Sequence, residues 1–175
     1  VNTVDEPVRT FQAFQDLVAQ VPEAVQPIIV MVAGAIPFLE GEGAGAIGVI
    51  GGIHPVVAGL AAAAGNFLSV LAVVLLGSRV RTAALAGRAR QADLPAEPAP
   101  ESKGRRRFRR WLVRFGVPGA SILGPLAVPT QFTSAMLVAA GTPRGWVLLW
   151  QGVAIVLWTT LATALAWGAL TVVAG

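Results

Sequence analysis

Cysteine is missing from this chain altogether, and so is tyrosine. Without a thiol there is no disulfide, no thiolate metal site and no cysteine nucleophile, and cysteine usage says nothing of the redox compartment. Histidine occurs once, at His54. One imidazole without clustered carboxylates does not make a zinc site. With no serine or aspartate context it does not make a nucleophile–base pair either, and no phosphate-binding glycine loop is visible. The sequence therefore predicts no metal, no cofactor and no catalysis. Charge is also scarce: 13% of residues are Asp, Glu, Lys or Arg, against about a quarter in an ordinary soluble domain. No such residue lies between Gly43 and Ser78, and Arg144 alone lies between Phe115 and Gly175. A helix of roughly 20 apolar residues crosses a bilayer. These stretches exceed that length and lack the polar face a soluble core helix needs.

Hydrophobic residues make up 55% of the chain, and its mean hydropathy is +0.69. The net charge of +4 does not point to nucleic acid, because eleven of the 13 Lys and Arg residues fall between Arg79 and Arg114, amid hydrophobic blocks. That is the positive-inside signature of a cytoplasmic loop. At the start, Asp5, Glu6 and Asp16 occupy the places where a secretory signal has a basic region and an apolar core, so no such signal is expected there. The composition, heavy in Ala, Arg and Gly, fits a high-GC bacterium and hence a multi-pass protein of the bacterial cytoplasmic (inner) membrane.

Four regions follow along the chain. In 1–23, Val8, Phe11, Phe14, Leu17, Val18 and Val21 form the stripe of an amphipathic interfacial helix. In 24–78, a short apolar run (24–39) contains Pro27 and Pro37; as helix it covers ~24 Å, less than the roughly 30 Å hydrocarbon core. It crosses by tilting or thinning the bilayer, or it enters without crossing. Glu40 to Gly43 break it, the glycine-laden stretch 43–52 is a poor continuous helix, and Val56–Gly77 reads as a transmembrane helix. The basic cytoplasmic region is 79–115. Its Ala/Pro/Glu/Arg-rich part, 83–104, reads as a flexible linker. The remainder, 105–115, alternates basic and large apolar residues like an interfacial helix that attracts anionic headgroups. In 116–175, Pro118, Pro125 and Pro129 break the first part of 117–141, its second part is helical, and a turn at 142–145 leads into a long final span. Trp146 and Trp150 near one end of that span suit headgroup-level anchoring.

The two membrane halves share an order: a Gly/Pro-broken apolar segment, a proline, then an alanine-rich helix, beginning at Pro55 in one half and Pro129 in the other. Paired interrupted segments are the sequence pointer to a transporter's inverted repeat. The expected fold is thus an all-α integral membrane protein with about four hydrophobic segments. Two cross fully, two cross or re-enter, and the whole is arranged as a pseudo-repeat.

Ala35-Ile36-Pro37 before a Gly-rich loop resembles the corresponding stretch of the small multidrug export proteins. So does the run from Pro129 to Arg144 before a long final helix. That family is similar in turn to DedA-type membrane proteins with paired re-entrant segments. The resemblance covers roughly residues 25–80 and 115–170. Where the family carries a Glu-Leu-Arg-Gly-like stretch before Ile-Pro, this chain reads Met31-Val-Ala-Gly34, and its acids follow the proline. The resemblance implies a membrane protein with a role in transport.

Glu40 and Glu42 are the acids adjoining the first-half spans. An ionisable group at membrane depth is expensive and usually functional, and a carboxyl group whose charged form burial disfavours could carry a proton or a cation. The flanking Gly41 and Gly43 favour the plainer alternative of a solvated loop. His54 could relay protons, although a histidine before a proline more often caps a loop. Thr130, Gln131, Thr133 and Ser134 open a helix whose N-terminus could hold an anion such as a lipid phosphate, while small hydroxylated residues also serve simply to pack helices. Arg105, Arg106, Arg107, Arg109 and Arg110 set topology and could contact lipid headgroups. Gly41/Gly45 and Gly48/Gly52 have the spacing that permits close helix approach.

Two functions follow. The first is a small transporter or translocase for lipophilic compounds or lipids, in which Glu40 and Glu42 matter. The second is a non-catalytic accessory subunit of a larger membrane complex, such as a multi-protein lipid transporter, sensitive instead on its Gly- and Ala-rich helix faces. The expected partners are membrane lipids and either further copies of the chain or the other subunits of a hetero-oligomeric complex.

Overall fold

The structure, a computed structural model, describes residues 20–90, 112 and 116–174. Among these every regular element is helical: α1 (Gln26–Gly34), α2 (Glu40–Ile50), α3 (Pro55–Arg90), α4 (116–123 in its described part), a 3-10 turn (Gly124–Leu126), α5 (Thr130–Ala139) and α6 (Arg144–Ala174). Two helices, Pro55–Gly87 and Arg144–Val172, are long and apolar enough to cross a membrane. Only 28% and 22% of their most apolar windows are buried. A core helix of a soluble protein would be mostly buried, whereas these expose Leu60, Leu68, Leu76, Val156 and Leu165. The predicted amphipathic stretch 8–21 up to residue 19, the part of the predicted linker 83–104 from residue 91 on, and nearly all of the basic segment 105–115 lie outside the described residues.

The chain divides into two units that do not follow sequence order: Val1–Leu68 with Ile155–Gly175, and Ser69–Ala154. In the first, α1 packs on α2, and both pack on the early turns of α3 and the late turns of α6. Pro27 sits in the first turn of α1, where its missing N–H is no loss. The helix ends within nine residues, about 14 Å, ahead of Pro37. A turn then carries the chain into α2, with Phe38 and Glu40 in the left-handed region at φ 71° and 51°. For a side chain as bulky as Phe that is a true outlier.

The sequence predicted a break at Glu40–Gly43 and a poor continuous helix over the apolar, glycine-laden 43–52. Instead Glu40–Ile50 is one helix. Its glycines are used as contact surface: Gly41 lies against Thr159, Gly45 against Thr163, and Gly48 against Ala58 and Val30. Each interior glycine weakens a helix by about 1 kcal/mol, but close approach of backbones returns dispersion along the whole seam. The core here is accordingly made of small residues, with Ala44, Ala58 and Ala62 fully buried beside Val30 and Val49.

In the second unit, α5 packs on α3 through Val138 and Gly77, and the 3-10 turn meets α5 where Gly124 lies against Thr133. Val70, Val74, Leu137 and Val147 are fully buried. The first part of the predicted linker is helical instead: 83–90 continues α3 without a break, because Ala83, Ala84, Ala86 and Ala89 are the strongest helix formers.

The alanine-rich helices compared from sequence differ in kind, since the one after Pro55 has 36 residues and the one after Pro129 has 10. The closer likeness lies in how the short helices stop. In α2, Gly52 N–H donates to the Val49 carbonyl and Ile53 N–H to the Gly48 carbonyl, both at 3.0 Å, with Gly52 at φ 90°. In α5, Gly141 N–H donates to Val138 at 3.0 Å and Thr142 N–H to Leu137 at 3.1 Å, with Gly141 at φ 95°. Both are Schellman caps. In each case a proline within three residues, Pro55 or Pro143, opens the following long helix.

Candidate functional sites

Glu40 begins α2 and is only 6% exposed, although it lies in an apolar unit. Its left-handed backbone costs about 1–2 kcal/mol, so surrounding packing must hold it there. Glu42, two residues further along, is half-buried. Facing the same helix are Thr159 and Thr163 of α6, 1% and 5% exposed, one turn apart and in contact with the backbone at Gly41 and Gly45. Both hydroxyls lack a hydrogen-bond partner. A buried polar group without a partner costs about 1–3 kcal/mol, so two of them one helical turn apart are a cost carried by this face of α6. The result is a seam where a buried carboxyl-bearing residue and two donor-capable hydroxyls line the same short helix.

His54 is not part of that seam. It follows the opposite end of α2, and an 11-residue helix of about 16 Å separates it from Glu40. Its Nδ1 accepts the Val56 N–H at 3.3 Å, capping α3, which is the plainer of its two expected roles. The exposed ring borders a cavity of about 840 Å³ together with Glu23, Gln26 and Gly52.

The second unit buries a set of neutral polar groups. Pro129 ends the broken stretch and Thr133 N–H donates to its carbonyl at 3.0 Å, opening α5. Thr130, Gln131, Thr133 and Ser134 are then all buried. Gln131 Nε2 donates to Ser69 Oγ at 2.9 Å, and Thr130 Oγ1 donates to Gln131 Oε1 at 3.4 Å. Gln151 of α6, fully buried, donates from Nε2 to Ser121 Oγ at 3.4 Å, while its Oε1 and the Ser134 hydroxyl find no partner. Sequence reasoning found Thr130 and Gln131 through the proline before them. It passed over Gln151, Ser121, Ser69, Thr159 and Thr163. The available signal was their isolation as polar residues inside uncharged helices, where burying a polar group is costly.

Among the described residues no three His, Cys, Asp or Glu side chains come together to hold a metal. Arg105, Arg106, Arg107, Arg109 and Arg110 lie outside the described residues. No protein family, no curated protein and no solved structure matches this chain.

Proposed function

We propose that this chain is a multi-pass protein of the bacterial cytoplasmic membrane, with loop 79–114 on the cytoplasmic side, acting as a small transporter or translocase for lipophilic compounds or lipids. In this reading α1–α2 and α4–α5 are re-entrant hairpins arranged as a pseudo-repeat. Three features support it. The short helices reach only about half the roughly 30 Å hydrocarbon thickness. Both α2 and α5 end in the same glycine cap ahead of a long helix. Paired discontinuous helices bring their ends, and with them the substrate or ion sites, to the bilayer midplane in known transporters. The resemblance to the small multidrug export and DedA-type proteins points the same way.

The observation that carries the proposal is Glu40: a carboxyl-bearing side chain, 6% exposed, at the strained start of a half-length helix that also packs against two unpartnered hydroxyls. Intramembrane ionisable residues are retained for function because their insertion is expensive. The test is reconstituted transport or lipid translocation with Glu40→Gln and Glu42→Gln. Loss of activity in a folded Glu40→Gln protein is expected, and full activity in both variants would remove the basis of the reading.

An accessory-subunit role has its own support. Ala164 and Gly168 lie four apart on α6 and face open space, and a methyl group added at Gly168 would meet nothing. Small residues at that spacing let a partner helix approach closely. Affinity purification from native membranes followed by mass spectrometry separates the two readings: a stoichiometric foreign chain favours the subunit, and recovery alone or as a homo-oligomer favours the transporter.

A further inference from the structure

Among its described residues, the second unit holds a set of cations with no carboxylate beside them in the chain. Its described residues include Arg79, Arg81 and Arg144 and not one Asp or Glu. Two of these arginines line one cavity. It is an open surface groove: Ser78, Arg79, Thr82, Ala83 and Ala86 present one face of α3, and Arg144, the first residue of α6, borders it, bounding about 430 Å³.

The third arginine explains how the two come together. Arg81 lies over the turn between α5 and α6, its Nη2 2.9 Å from where a Cβ on Gly141 would stand. Only a glycine at φ 95° admits both the Schellman turn and a guanidinium laid across it. With α3 and this turn so joined, the residue that follows Thr142 and Pro143 is held beside Arg79.

We propose that this cavity is a binding site for a phosphate group, a site separate from the buried seam of Glu40 and from the arginines of the basic segment. Two guanidiniums from different helices can each offer a planar fork of donors to different oxygens of one phosphate, which a single ammonium cannot do. The two hydroxyl donors are already used within the helix, Ser78 Oγ donating to the Leu75 carbonyl at 2.8 Å and Thr82 Oγ1 to the Ser78 carbonyl at 2.9 Å, which leaves the guanidiniums as the donors that face the cavity. Ala83 and Ala86 keep the floor of the cavity open for a group larger than the phosphate itself. The phosphate belongs either to an anionic lipid headgroup or to a free phosphate ion. Placement at the end of the apolar stretch of α3, just beyond exposed Leu75 and Leu76, suits a headgroup. That choice of source rests on the membrane reading above; the site does not.

The full chain in mild detergent is examined by native mass spectrometry with phosphatidylglycerol or phosphatidylcholine added, and separately by equilibrium dialysis against inorganic phosphate. The variants are Arg79→Gln, Arg144→Gln and, as a charge-matched control, Arg90→Gln, about three turns further along α3. Helical content and elution volume show whether each variant is folded. The expected result is a phosphatidylglycerol adduct that falls roughly tenfold or more in either cavity variant, as the loss of a charge-assisted hydrogen bond implies, and persists in Arg90→Gln. A fall in inorganic phosphate binding alone assigns the site to the free ion. If neither ligand responds to Arg79→Gln or Arg144→Gln, or if Arg90→Gln loses as much, the site does not exist. Recovery of the chain without detergent would count against the membrane reading only, and the dialysis arm would still decide the site.

Discussion

Replacing Gly65 with alanine places a methyl group on the backbone of Met31. The new Cβ would stand 2.6 Å from the Met31 carbonyl carbon and 3.0 Å from its Cα, and closer still to its oxygen, where carbon atoms prefer about 3.5–4.0 Å. The obstacle is main chain in the middle of α1, so no side-chain rotation relieves it. One turn along α1, Gly34 makes the reciprocal contact with the backbone of Ala62, its Cβ position 3.1 Å from the Ala62 Cα. The seam is therefore pinned at two points, and moving α1 outward to accept Gly65→Ala also opens the contact at Gly34. Overpacking of this kind costs roughly 1–3 kcal/mol. At about 2–4 °C per kcal/mol for a chain of this size, the melting temperature should fall by some ~2–12 °C. Thermal unfolding of the detergent-solubilised protein, followed by circular dichroism at 222 nm, measures it; the wavelength is roughly that of the helical minimum common to all α-proteins. Gly168→Ala provides the internal contrast, because nothing stands in its way and alanine is the better helix former by about 0.8–1 kcal/mol. Its melting temperature should hold or rise. The double variant Gly34→Ala/Gly65→Ala should lose less than the two single losses combined, since one displacement of α1 serves both. A Gly65→Ala protein as stable as its parent would refute the backbone-to-backbone seam.

Four further outcomes are expected. Thr159→Val removes a buried hydroxyl that has no partner, so stability should hold or rise by about 1 kcal/mol; a concurrent loss of transport would show that the hydroxyl serves a ligand, and a marked loss of stability would refute its unpartnered state. Gln131→Ala breaks the 2.9 Å bond to Ser69 in a buried setting and should cost roughly 1–3 kcal/mol by thermal unfolding, with unchanged stability counting against that bond. Gly52→Ala meets no neighbouring atom but must adopt φ 90°, so it should lose about 1–2 kcal/mol through backbone strain alone. Gly141→Ala, which also displaces Arg81, should lose more, and equal losses would argue against the Arg81 contact.

Much of the architecture is visible in the order of residues. The two uncharged stretches flagged the long helices, and the prolines and glycines marked where they start and stop: Pro55 and Pro143 lie at the starts of α3 and α6, while Gly52 and Gly141 close α2 and α5. The polar cluster after Pro129 was legible for the same reason, since a proline followed by Thr130, Gln131, Thr133 and Ser134 reads as a helix start. Residues 40–52 were not legible. Glycine's effect on an isolated helix is local and unfavourable, and the contacts that reverse it come from Thr159 and Thr163, remote in the chain. Without those partners the same glycines read as a break in the helix, and Glu40 stays open between a buried and a solvated place.

The helical, apolar character of this chain was determined by the sequence alone, because an uncharged run longer than a bilayer is thick leaves few other ways to satisfy backbone hydrogen bonds. Where Glu40 lies, which face of α6 carries the unpartnered hydroxyls and that Arg79 and Arg144 border one groove were decided only by the tertiary structure. Each depends on segments far apart in sequence being brought to one place, and that is a property that no local pattern of residues encodes.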